Sequence, residues 1–293
     1  MSTLRWNGER PVLDRPLLVT HLEGWIDAGG AARLAIDAVI DECDAEPMAV
    51  FDDDTYIDFR ARRPTMQLME GRNTVIEWPH ITVSVGRDLA GHDVVVLHGP
   101  EPDMAWNRFV GEVRDLARAF GVSAMAHLGA YPFATPHTRP SRLSITTPSE
   151  DVLRRVPFLR STLDVPAGAC SVLERALHDD GVTALGIWAQ VPHYAASMAS
   201  PSGAVALLGG LRTAIDLVVD GADLRAEALA QRRRIDELVA ANDEHRSMID
   251  QLERVHDASP GVADDIETPS APFRMVSAEE LGKEVEEFLR DQE

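Results

Sequence analysis

"PLLVTHLEGWIDAGGAARLAIDAVIDEC", residues 16–43, sets an apolar run, a turn with two glycines and a helical pattern in immediate succession. An apolar segment, a glycine turn and a helix start open many α/β folds, and the same junction cradles phosphate in nucleotide-binding proteins. Asp27 weighs against a cradle. It falls where the first helical residues begin, and an aspartate there accepts hydrogen bonds from free helix amides and supplies the negative charge that the helix dipole favours. A phosphate would meet repulsion and find its donors partly used, so ligand binding at Asp27 is the lesser reading. Gly29 and Gly30 would then permit close approach of helix and sheet, or of another chain.

Outward from this unit, short apolar or β-branched runs alternate with longer helical patterns as far as about Val219, which predicts a mostly parallel sheet covered by helices. Strands are expected near residues 17–21, 48–51, 75–78, 81–85, 94–98, 123–128, 143–146 and 183–188. The two runs flanking "WPHI" read as a hairpin, because Pro79 interrupts one continuous strand. Helices are expected over 28–43, 104–120, 167–179 and 203–220, giving an α/β core domain over 1–221.

Beyond Gly221 the composition changes. Residues 222–257 contain no glycine or proline and carry Leu224, Ala228, Ile235, Leu238, Ile249 and Leu252 at 4-3 spacing. That predicts one long amphipathic, coiled-coil-like helix whose apolar stripe contacts a partner helix or another copy, with Gln231, Asn242 and His245 as polar positions in the stripe. An acidic linker over 258–276 follows, and then an amphipathic helix over 277–293, opened by a Ser277/Glu280 capping box and carrying Leu281, Val285, Phe288 and Leu289.

Forty-eight acidic against 28 basic residues give a net charge of -20, which opposes nucleic acid and anionic membranes as partners. The two cysteines, Cys43 and Cys170, indicate neither a disulfide framework nor a zinc site. The most apolar segment, Gly203 to Leu211, is far shorter than the ~20 residues a membrane span needs, so the expected location is the cytoplasm.

Ligands of an open α/β sheet bind beyond the carboxyl ends of its strands. "EGWIDAGG", "HGPEPD", "GAYPFATPHTRP" and "VPHYAASMASPSG" occupy those positions, bringing His98, Glu101, His137, Arg139, His193 and Tyr194 towards one rim. Imidazoles could move protons, and the carboxylate and guanidinium could hold a polar or anionic group. The same side chains also serve proline-rich loops by bonding their own backbone. "FDDDTYIDFRARRP" invites a metal reading. Adjacent residues of an extended chain point to opposite faces, however, so Asp52, Asp53 and Asp54 cannot easily converge with Asp58 on one ion, and these carboxylates are expected to pair with Arg60, Arg62 and Arg63 at a surface or subunit contact instead. Neither a metal nor a cofactor is expected. Nucleophile-elbow, phosphate-loop and zinc-helix motifs are absent.

Taken together, "GWIDAGGAA", "FDDDTYIDFRARRP", "HGPEPDMAW", "PHTRP" and "WAQVPHY" resemble the actinobacterial branch of the proteasome-assembly-chaperone-two family, over roughly residues 17–217. The resemblance implies a three-layer α/β/α sandwich related to nucleoside phosphorylase and peptidyl-tRNA hydrolase folds. It also implies self-association, with a trimer among the oligomers it allows, and a protein client such as proteasome subunits. Some relatives end in a hydrophobic-tyrosine-any tripeptide that docks on proteasome rings. Asp291, Gln292 and Glu293 depart from it, so any proteasome contact is expected through the body or the long helix. Two functions are carried forward. One is a non-catalytic, chaperone-like oligomer. The other is a small-molecule enzyme using His98, His137 or His193 as acid or base and Arg139 as the anion contact.

Overall fold

The computed structural model describes residues 4–258. Its centre is a run of side chains buried on both faces, Val94 to Leu97, which only a sheet covered on both sides can hide. The strands are β1 (Arg5–Trp6), β2 (Leu17–Glu23), β3 (Glu46–Val50), β4 (Thr65–Met69), β5 (Arg72–Glu77), β6 (Thr82–Arg87), β7 (Asp93–Pro100), β8 (Ala124–Phe133), β9 (Leu143–Thr146) and β10 (Thr183–Pro192). Eight of them form one sheet in the order β1-β3-β6-β7-β2-β8-β10-β9. The helices are α1 (Ala31–Glu42), α2 (Asp53–Tyr56), α3 (Trp106–Phe120), α4 (Glu150–Arg155), α5 (Ala169–Asp179), α6 (Pro201–Ile215), α7 (Ala222–Ala240) and α8 (Asp243–Ala258).

Alternation along the strands sorts the core into two layers. Val19, Val94, Val96, Ala126 and Leu128 face Ile36, Val39, Leu207 and Leu211 of α1 and α6. Leu18, Val95, Leu97 and Met125 face Phe109, Val113, Leu173 and Leu177 of α3 and α5. The result is the expected α/β/α sandwich.

The sheet is mixed rather than mostly parallel. Only β7/β2, β2/β8 and β8/β10 run parallel, while β1/β3, β3/β6, β6/β7 and β10/β9 are antiparallel. Connection length decides this, since parallel neighbours need a crossover of a dozen or more residues. Between β6 and β7 only residues 88–92 intervene. There Asp88 tightens the turn by accepting hydrogen bonds from the Ala90 and His92 amides, at 3.0 and 2.8 Å.

The strands flanking Pro79 do not form a hairpin with each other. β5 pairs only with β4, in a separate two-stranded ribbon, and β6 enters the main sheet between β3 and β7. The ribbon turns at Glu70 and Gly71, whose φ values of 49° and 79° are the left-handed pair that tight hairpins require.

Residues 222–258 form two helices instead of one. Asn242 breaks the run: its side-chain oxygen accepts from the Glu244 amide at 2.8 Å and the His245 amide at 3.4 Å, capping α8, with Asp243 and Glu244 in the first turn. The linker beyond Ala258 and the helix expected over 277–293 lie outside the described residues.

Candidate functional site

At the end of β2, both Asp27 carboxylate oxygens are taken by the chain itself. They accept from the Ala32 amide at 2.8 Å and the Arg33 amide at 3.0 Å, within the first turn of α1, and the His21 Nε2 stands 3.5 Å away. The helix start therefore holds its own anion. Gly29, at φ 61°, donates to the Ala196 carbonyl and accepts from the Ser200 amide, each at 2.8 Å. A Cβ on Gly29 would stand 2.6 Å from the Met198 carbonyl oxygen, whereas one on Gly30 would meet open space. One glycine of the pair lets the β10–α6 loop close on the turn, and the other serves only the left-handed start of α1.

The rim residues divide into separate groups. His98, on β7, bonds through Nε2 to the Ser84 hydroxyl at 3.0 Å, and burial pushes its pKa down, towards the neutral ring. Glu101 accepts from the Ala169 amide at 2.5 Å and so caps α5. His137, His193 and Tyr194 gather elsewhere. The Tyr194 hydroxyl lies 2.7 Å from both the backbone amide and Nδ1 of His137, and the His193 and Tyr194 rings meet edge to face at 5.4 Å. Burial raises the Tyr194 hydroxyl to about 12. Among the described residues no hydrogen bond or ion pair joins His98 or Glu101 to this second group.

What closes the second group is the appendage. The Nε2 of His137 meets Asp236 of α7 at 3.1 Å. Arg139 donates to Asp257 at 2.8 and 2.7 Å and to Glu253 at 3.0 Å, while the Thr138 hydroxyl bonds the same Glu253. Arg142 donates to the His256 carbonyl at 2.6 Å, and Gln231 bonds the Ala199 carbonyl. Side chains expected to greet an anionic ligand thus hold the carboxylates of α7 and α8. Of the stripe, Leu224, Ile235 and Ile249 are buried within this one chain, Leu252 is partly buried and Leu238 remains exposed.

A third cluster had no sequence motif to mark it. Part-way along β8, short of its carboxyl end, His127 meets Glu174 of α5 at 2.8 Å, Glu174 also accepts from the Thr146 hydroxyl at 2.7 Å, and the Trp188 indole of β10 donates to Thr146 at 3.3 Å. His21, Trp25, Glu101, His127, Cys170 and Trp188 line a cavity of about 20 Å³ there. That volume holds one water and no nucleoside. Sequence could not find this cluster because His127 and Glu174 are 47 residues apart and sit on a strand and a helix without a turn signal.

In the aspartate run, Asp52 bonds Thr55, Asp53 bonds His80 at 2.7 Å and Asp58 accepts from the Arg60 amide. The expected pairing with the nearby arginines fails, because Arg62 turns to Asp103 at 3.1 Å. Among the described residues no group of three or more His, Cys, Asp or Glu side chains could hold a metal ion. Burial lifts the thiols of Cys43 and Cys170 to about 12 each, which makes both poor nucleophiles.

Comparison with known proteins places this arrangement. A family model, PAC2, matches residues 21–239, about three quarters of the chain. The chain belongs to the PAC2 family. The PAC2 chain resembles a PAC2 family protein from Streptomyces avermitilis at 34% identity over 80% of this chain and 99% of that one, with a TM-score of 0.72. A proteasome-assembly chaperone homologue from Mycobacterium tuberculosis matches at 32% identity over 80% and 99% of the two chains, with a TM-score of 0.73. An archaeal proteasome activator from Pyrococcus furiosus shares the fold, at 16% identity over 81% and 98% and a TM-score of 0.62. No curated protein matches the PAC2 chain. No helix among the described residues is long and apolar enough to cross a membrane.

Proposed function

We propose that this PAC2 chain is a non-catalytic, chaperone-like protein of the cytoplasm that self-associates and holds a protein client, with proteasome subunits the first class of client to test. The observation that carries the reading is the state of the rim. His137, Arg139 and Tyr194, the groups best suited to proton transfer and anion binding, have their functional atoms engaged by each other and by Asp236, Glu253 and Asp257. The family membership and the likeness to an assembly-chaperone homologue support the same reading.

Affinity purification of the full chain from its native host, followed by mass spectrometry, tests it. Enrichment of proteasome α-subunits, and altered α-subunit assembly on deletion, is the expected result. No enriched protein and unchanged assembly would end the proposal.

A further inference from the structure

The α7–α8 appendage has a fixed root and a lightly held end. At the root Gly221, Leu224 and Ile235 are buried, and the Glu42 carboxylate accepts from the Asp220 and Gly221 amides. Asn242 then interrupts the run, and of α8 only Ile249 is buried, with Met248 and Leu252 partly so. What fastens α8 is polar. Arg139 donates to Glu253 and Asp257, the Thr138 hydroxyl bonds Glu253, and Arg142 donates to the His256 carbonyl. The Asp257 side chain is still 53% exposed in this clasp. Contacts so open to solvent can exchange one carboxylate for another, and releasing α8 bares a single buried side chain.

The docked face of α8 shows what the loop before β9 accepts. Ile249, Glu253 and Asp257 follow one another at four-residue steps, which sets them along one stripe of the helix. The Arg139 fork spans the two carboxylates of that stripe. Arg139 and Arg142 stand three residues apart, a local pair of cations on a chain of net charge -20. Charges beyond about 8 Å are largely screened at physiological salt, so these contact cations decide whether an acidic helix is held. A helix of the chain's own, lodged there, is the stand-in for another with the same stripe.

We infer that the loop carrying Arg139 and Arg142 is where the client docks, that it takes a helix with one apolar residue and two carboxylates at four-residue steps, and that α8 occupies it in cis until displaced. The inference rests on the client-holding reading proposed above and names its surface. A site that is open only part of the time shows a rival helix an affinity reduced by the open fraction, so withdrawing the α8 carboxylates must tighten binding.

A fluorescein-labelled, alanine-rich helical peptide with Ile, Glu and Asp at those steps is the probe, read by anisotropy against the full chain. Glu253→Gln/Asp257→Asn frees the two arginines and should bind the probe at least tenfold more tightly than the wild type. Adding Arg139→Ala should abolish that gain, as should Gln and Asn in place of the probe's Glu and Asp. Circular dichroism checks each fold, and Asp257→Asn alone replaces the double variant if its fold is lost. In purification from the native host, Glu253→Gln/Asp257→Asn should enrich proteasome α-subunits several-fold over the wild type, and Arg139→Ala should enrich fewer. Both variants unfasten α8, so a clasp that only ties the helix down would move both the same way.

No gain in the double variant, a gain that survives Arg139→Ala or the neutral probe, or equal enrichment by the two variants would overturn the inference. The peptide assay contains no client, so its failure strikes the docking site alone. Absence of any enriched protein with every variant strikes the client reading itself.

Discussion

Arg139 grips Asp257 with two hydrogen bonds, 2.8 and 2.7 Å long, across 118 residues of sequence. Together with the Glu253 contact it fixes the end of α8 to the loop after β8. Single exposed ion pairs contribute little, but a forked guanidinium engaging two carboxylates is the geometry that does. In Arg139→Ala, amide exchange over residues 243–257 should accelerate several-fold, while thermal unfolding of the body shifts by less than about 4 °C. Hydrogen-exchange mass spectrometry reads both regions in one experiment, and equal acceleration in α3 would show that the clasp supports the whole fold.

The same clasp carries a pH dependence whose sign is fixed. The side-chain hydrogen bond from Arg139 holds the Asp257 carboxyl below its usual value, and burial beside the Arg142 guanidinium lowers the His256 imidazole below 6.5. A group with a depressed folded pKa stabilises above its unfolded value, and that contribution is lost as pH falls through the folded value. Docking of α8 should be unchanged from pH 8 to about 7, weaken below about 6.5 as His256 protonates, and weaken again below about 3.8 as Asp257 does. Exchange of α8 amides measured from pH 8 to 5 checks the first step, after correction for intrinsic exchange rates. His256→Gln should flatten it, and faster opening at higher pH would contradict it.

The glycine pair in "IDAGGAA" separates two roles that sequence presents as one. Gly29 is pressed against the 196–200 loop, where an added Cβ would stand 2.6 Å from the Met198 carbonyl oxygen, whereas Gly30 faces space. Both have positive φ, which costs an alanine about 1–2 kcal/mol. Gly30→Ala should lose only that. Gly29→Ala adds an overpacking cost of about 1–3 kcal/mol, so its denaturation midpoint should be the lower of the two. Equal midpoints would mean that the loop yields freely.

The core is legible in sequence because burial on both faces leaves uninterrupted apolar runs such as Val94 to Leu97. Strand direction is not, since it depends on connections such as 88–92 whose shortness matters only once the neighbours are known. The ribbon strand Thr65–Met69 gives no strand signal in sequence because all five of its residues are exposed, so no buried face imposes an apolar alternation. Asn242 is a polar position of the 4-3 stripe, but "NDE" is also a helix-start signal, and the start outweighs the stripe. Loop residues could be assigned to the rim, but which of them bond each other depended on where α7 and α8 return, and Asp236, Glu253 and Asp257 are up to 118 residues from their partners.

Glu174 joins α5 to the sheet by accepting from Thr146 and pairing with His127, and it is only 6% exposed. Removing its carboxylate leaves the buried His127 imidazole without that partner, the costly way to break a polar network. Glu174→Ala should lower stability by about 3 kcal/mol in urea unfolding, most of it from the stranded imidazole. Glu174→Gln keeps one acceptor oxygen and should lose about half as much. Pairing Glu174→Ala with His127→Phe removes both polar ends at once, so the double variant should be more stable than Glu174→Ala alone. If the two losses simply add, Glu174 and His127 are not energetically coupled, and the crevice is held by its apolar walls.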